Sequence, residues 1–165
     1  MGIFGSLISS FRSSFGTVVL YAPTDGELMD ITEVPDETFS QKILGDGIAI
    51  RPTSGRICAP CDGVLETIME SRHAFSMTAD DGTELLIHVG VDTVELKGRH
   101  FTSRNSEKNM VKKGDLVLEA DLDAIRADGY DPVTIIIVLN GDRFSGMDKA
   151  AGNVRQGDEV LRLKK

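Results

Sequence analysis

The sequence predicts an all-β fold. Two observations carry this. Short apolar runs recur from residue 17 to the C-terminus, each bounded by Gly, Pro or Asp turn signals, and two motifs each occur twice. Short strands at such spacing form sandwiches or barrels. Strands are expected at Thr17–Tyr21, which runs into Ala22-Pro23, and at Gly47–Arg51, which runs into Pro52. Gly63–Met69 leaves the Asp62-Gly63 turn, and Glu84–Val91 follows Asp81-Gly82. Leu116–Ala120 follows Gly114-Asp115, Val133–Leu139 lies between Pro132 and Asn140-Gly141, and Glu159–Leu163 follows Gly157-Asp158. Two segments read as short helices: Asp36–Leu44, and Leu122–Asp128 with Asp121 or Asp123 as cap and Gly129 as stop.

The repeated motifs point to a duplicated architecture. Ala22-Pro23-x-Asp25-Gly26-x-Leu28-x-x-Ile31 is echoed by Ala59-Pro60-x-Asp62-Gly63-x-Leu65-x-x-Ile68. Val111-Lys112-Lys113-Gly114-Asp115-x-Val117-Leu118 is echoed by Val154-Arg155-Gln156-Gly157-Asp158-x-Val160-Leu161. Each echo is a turn that feeds a strand, and two related halves packed face to face account for both. Gly-Asp-x-Val-Leu also occurs in biotinyl and lipoyl carrier domains. Those need a lysine amine at a hairpin tip, and Glu119–Ala124 has none.

At 165 residues the chain makes one domain. With 18 basic against 26 acidic residues its net charge is -8, so phosphate backbones repel it and nucleic acid is not expected as a partner. The longest apolar run, Ile135–Leu139, is far short of the roughly 20 residues of a membrane helix. Composition reads as a soluble cytoplasmic protein. Residues 1–16 stand apart as a tail, with 17–165 as the single domain. Ile3, Phe4, Leu7, Ile8 and Phe11 fall on one helical stripe, so the tail is either disordered or an amphipathic segment that touches the inner membrane face. The chain starts at its own Met1 with no fused segment, which reads as free-standing.

Three histidines and two cysteines are the chemical candidates. In the Glu84–Asp92 strand, alternation places Leu85, Ile87, Val89 and Val91 on a core face. His88 and Asp92 then project from the other face with Gly90 between them. Ser71, His73, Phe75 and Met77 share a face, and Ser71 can fix the tautomer of His73 by a hydrogen bond. His100, in a polar stretch, reads as a solvated loop residue. Cys58-Ala59-Pro60-Cys61 enters a strand rather than a helix and has no second pair, so it reads as two small apolar residues.

These residues resemble the glucose-type IIA proteins of the bacterial phosphoenolpyruvate-dependent sugar phosphotransferase system. The resemblance is carried by Ala22-Pro23-x-x-Gly26, Val34-Pro35-Asp36, Lys42–Ile50, Ala59-Pro60-x-Asp62-Gly63, His73-Ala74-Phe75-Ser76, Glu84–Gly98 and the Gly114-Asp115 turn. It implies an antiparallel β-sandwich of barrel-sandwich hybrid type with short helical turns. It implies that His88 is the phosphorylated residue, that His73 supports it, and that Ser71 keeps the hydroxyl the family often has as Thr. The Gly90 backbone carbonyl would fix the His88 tautomer. Phe39, Ile43, Leu44, Met69, Phe75 and Val94 match or replace apolar partner-binding residues. Asp36 and Asp92 match acidic residues that meet basic partners. The implied donor is the histidine phosphocarrier protein and the implied acceptor a cysteine of a IIB domain. Regulatory targets are a further possibility within the family. No metal or cofactor is implied, because the phosphoryl group passes between side chains.

Two other classes fit less well. A zinc metallopeptidase of related fold needs a His-x-His pair, and Gly90 stands where the second His belongs. A non-catalytic regulatory binding module needs neither His73 nor His88.

Overall fold

The computed structural model describes residues 16–165; the tail expectation for residues 1–15 lies outside the described residues. Fourteen strands occur among them: β1 (Thr17–Tyr21), β2 (Gly26–Asp30), β3 (Gly47–Pro52), β4 (Arg56–Cys58), β5 (Gly63–Ile68), β6 (Ala74–Ala79), β7 (Glu84–Val89), β8 (Phe101–Ser103), β9 (Met110–Val111), β10 (Leu116–Ala120), β11 (Thr134–Val138), β12 (Gly146–Lys149), β13 (Asn153–Val154) and β14 (Glu159–Lys164). Two short helices join them, α1 (Glu37–Ser40) and α2 (Leu122–Ala127). Asp36 caps α1 by accepting from Thr38 N–H, and Asp121 caps α2 by accepting from Ala124 N–H. The all-β expectation holds, and each of the seven expected strands is present with its ends shifted by at most two residues.

An eight-stranded antiparallel sheet runs in the order β13-β2-β3-β11-β7-β6-β5-β9, and two three-stranded sheets run β1-β14-β12 and β4-β10-β8. The orders are symmetric. Strands β1–β3 with β11–β14 form one half, and the continuous run β4–β10 repeats its pairing. The echoed turns bond crosswise in matching pairs. Ala22 N–H donates to Asp158 O at 2.7 Å as Ala59 N–H donates to Asp115 O at 2.8 Å. Gln156 N–H donates to Asp25 Oδ1 at 2.7 Å as Lys113 N–H donates to Asp62 Oδ1 at 2.8 Å. The halves also exchange bonds: Tyr21 N–H donates to Pro60 O at 2.9 Å and Cys58 N–H to Pro23 O at 2.8 Å. The glycine in each first echo is forced by the same close approach. A Cβ on Gly26 would lie 2.2 Å from Arg51 O, and one on Gly63 would lie 2.2 Å from Thr78 O.

Alternation along the large sheet divides the apolar residues between two clusters. One face packs with the small sheets around Leu20, Ile50, Phe75, Ile87, Ile136 and Leu161. The other face holds a smaller cluster that includes Ile31, Phe39, Ala74, Leu86, Ile135 and Ile137. Leu85, Ile87 and Val89 lie in the larger core, as the period-2 pattern requires. Val91 does not. Gly90 has φ +93°, which ends β7 and breaks the alternation, and Val91 packs against the smaller cluster instead. His88 is opposite Ile135 and Ala74 in register, so its ring belongs to the smaller-cluster face.

Candidate active site

His73 and His88 come together on adjoining strands. Val89 N–H donates to the His73 carbonyl at 2.7 Å, which ties the residue before β6 to the end of β7. The two imidazoles meet edge to face, with centroids 4.8 Å apart and planes at 83°. Phe39 of α1 lies against His88 with ring centroids 4.9 Å apart, and Phe101 flanks His73 at 6.5 Å. The duplicated half carries no counterpart of this pair. There the matching backbone bond runs from Val138 N–H to the Asp46 carbonyl at 2.9 Å, and Gly47 pairs with Ile137 as Ala74 pairs with His88. Asp46 and Ile137 therefore stand where the other half has His73 and His88.

Burial sets the protonation of both rings. It pushes His88 down to about 4, helped by the neighbouring His73 and opposed by the Gly90 backbone and the Asp36 carboxylate. Burial also lowers His73. Both rings are neutral near pH 7. Each Nδ1 is buried and completes no hydrogen bond of full geometry. For His88 the Gly90 backbone lies near enough to favour the protonated ring, so the bond is loose rather than absent from reach. Such bonds tighten when substrate arrives. For His73 the expected bond from Ser71 is not formed. Arg72 takes φ +58° and β6 starts only at Ala74, so Ser71 lies in the preceding turn rather than two residues along a common face.

The other expected residues divide by exposure. Ile43 and Val94 are 65% and 49% exposed, and Leu44 and Met69 are also exposed. Phe75 is not available to a partner: it is fully buried in the larger core, because its alternation puts it opposite Ile87 and away from His88. Phe39 is buried too, but on the histidine side. Asp36 acts on His88 from the α1 cap. Asp92 is exposed at φ +58° in the position before the 3-10 turn Thr93–Leu96, where its side chain makes no capping bond, and it reaches that place through the turn after Gly90 rather than by strand alternation. His100 is not a free loop residue, since its Nε2 lies 2.7 Å from Asp128 Oδ2. Cys58 and Cys61 are free thiols buried in the fold, and burial pushes Cys61 up to about 12. That is the inert, packing environment expected of them. Thr93 was not singled out by sequence pattern. The short spacing from Gly90 through Asp92, a glycine followed by a cap residue, is the signal that marks its turn.

Residues 18–144 match the family model described as phosphoenolpyruvate-dependent sugar phosphotransferase system, EIIA 1. The chain is 45% identical over 166 residues to the PTS system glucose-specific EIIA component of Haemophilus influenzae, covering both chains completely. It is 42% identical over 151 residues to the PTS system glucose-specific EIICBA component of Staphylococcus carnosus, covering 90% of this chain and 22% of that longer protein. The fold superimposes on the glucose permease IIA from Mycoplasma capricolum with a TM-score of 0.83 at 35% identity, covering 90% of this chain and 96% of that one.

Proposed function

This chain belongs to the EIIA 1 family of the phosphoenolpyruvate-dependent sugar phosphotransferase system, and on that premise we propose that it carries the phosphoryl group on His88. The observation that carries the assignment is the pair of neutral rings with centroids 4.8 Å apart, Phe39 lying against His88. Nδ1 of His88 is buried, so Nε2 is the nitrogen left to meet phosphorus. A neutral ring presents the lone pair that an in-line displacement needs. As the new N–P bond forms, the N–P bond of the donor breaks, and the Nδ1 proton is held toward the Gly90 carbonyl. His73 lacks an acceptor at Nδ1, which favours its proton on Nε2. There it donates to a phosphoryl oxygen and offsets charge in the transition state. Onward transfer breaks the His88 N–P bond as a S–P bond forms on the acceptor cysteine.

The donor is a histidine phosphocarrier protein and the acceptor a IIB domain; the EIICBA relative joins its A component to others in one chain. Ile43, Leu44, Met69 and Val94 supply an apolar docking rim, and Asp36 and Asp92 supply charge for basic partner residues. The same rim offers a surface for regulatory targets. Residues 17–165 act as one IIA domain in the cytoplasm, and residues 1–16 make transient contact with the inner membrane face. Sedimentation with anionic vesicles, with and without residues 1–16, tests that contact; equal binding by both forms counts against it.

The central test is incubation with phosphoenolpyruvate, enzyme I and the histidine phosphocarrier protein, followed by intact-mass measurement. One acid-labile phosphate is expected, and none after His88→Gln. An unmodified wild-type protein overturns the reading.

A further inference from the structure

The segment that follows His88 is held by buried bonds which the chemistry above leaves unused. Thr93 is fully buried. Its hydroxyl donates to the Val89 carbonyl at 2.5 Å. Its methyl presses on the next residue: a Cβ on Gly90 would lie 2.3 Å from Thr93 Cγ2 and 3.1 Å from Asp131 O. The loop before β11 completes the clamp. Gly90 N–H donates to Val133 O at 2.7 Å and Val91 N–H to Asp131 O at 3.0 Å. Asp131 is itself fixed, its carboxylate accepting from Val133 N–H at 2.9 Å. The Gly90 and Val91 N–H groups are thus taken by the Asp131–Val133 loop, and the Val89 carbonyl is taken by Thr93. The Gly90 carbonyl is left to address the His88 ring.

We propose that Thr93 is a positioning residue for phosphoryl transfer, holding the Val89–Gly90 backbone so that the Gly90 carbonyl faces the His88 ring. This rests on His88 being the phosphoryl acceptor. A valine of the same shape would pack equally well but could not donate. The Val89 carbonyl would then be buried without its partner and would turn to find another. Only the bonds to Val133 O and Asp131 O would then hold this turn, and Gly90 has no side chain to add resistance, so the acceptor for the His88 proton is less firmly aimed. Thr93 touches neither phosphorus nor the ring; it acts through one peptide unit.

The test uses the full chain as Thr93→Val and Thr93→Ser. In the unphosphorylated protein, the ring nitrogen shifts of His88 by 15N NMR report how the proton divides between Nδ1 and Nε2. Thr93→Val is expected to shift the proton away from Nδ1 and to slow transfer to a IIB domain by about tenfold, the scale of one lost hydrogen bond. Thr93→Ser, which keeps the donor, is expected to restore both. If Thr93→Val does not fold, Thr93→Ala removes the donor with less crowding and carries the same expectation. Wild-type ring shifts and rates without the hydroxyl, or a slow rate that Thr93→Ser does not restore, overturn the proposal. Absence of labelling on wild-type His88 would instead overturn the acceptor assignment, while the ring shifts would still report on Thr93.

Discussion

His73 and His88 meet edge to face although the strand register pairs His88 with Ala74. The ring of His73 reaches across from one residue before β6. The two histidines are therefore placed by different elements, one by strand β7 and one by the turn that enters the neighbouring strand β6. Their jobs can be separated by mutation for that reason.

Replacing His73 with Gln is expected to leave His88 able to accept phosphate but to slow transfer to a IIB domain by about a hundredfold, the scale of one lost transition-state donor. Single-turnover transfer from the isolated phosphoprotein measures it. Normal onward transfer would remove His73 from the mechanism.

Acid should destabilise the fold through His88. Its native value is about 4 against 6.5 for the free side chain, so between these values the unfolded chain binds more protons than the native one. Stability from this ring is complete above about pH 6.5 and is lost as pH falls toward 4, by up to roughly 3 kcal/mol. His73 adds in the same direction, and Asp36 opposes it. Denaturant titrations of wild type and His88→Gln between pH 4 and 7 check the sign: wild type should lose stability relative to the variant as pH falls, and a wild type that gains on the variant in acid would reverse it.

Gly90→Ala tests the turn. The new Cβ would sit 2.3 Å from Thr93 Cγ2 on a backbone at φ +93°. A loss of about 2 kcal/mol in unfolding free energy is expected, with transfer impaired more than stability. A fully active Gly90→Ala protein would show that the carbonyl position there is unimportant.

Exposure separates docking residues from core residues. Val94→Asp and Ile43→Asp should raise KM for the donor with little change in Tm, because both side chains are exposed. Phe75→Ala should cost about 3 to 5 kcal/mol of stability instead, because Phe75 is fully buried. A Phe75→Ala protein of native stability and weakened docking would reverse that assignment.

Most of the fold was legible in the sequence because turn chemistry is local. Asp-Gly and Gly-Asp marked where strands begin, and the echoes exposed the duplication. The histidine pairing became legible only through family resemblance, since the Ser71–Met77 and Glu84–Asp92 patterns say nothing of which segments lie side by side. Errors came where backbone geometry interrupts a simple period. A positive φ at Gly90 sent Val91 to the other face, and one at Arg72 removed Ser71 from His73. Phe75 was misplaced for another reason: similarity to a docking residue says nothing of which sheet face it occupies. His100 found Asp128 across 28 residues, a contact no local pattern encodes.

The two halves differ in how the chain supplies them. One is continuous, β4–β10, whereas the other joins β1–β3 to β11–β14, and Thr17 pairs with Lys164. Ring closure over nearly the whole chain is entropically costly and slow. On the ribosome, β6 and β7 emerge early, but β11, which lies beside His88, comes later and from the other half. His88 is thus flanked on one side by a strand that does not yet exist when the histidine is made. The surroundings of His88 are complete only once β11, from the discontinuous half, has paired beside it.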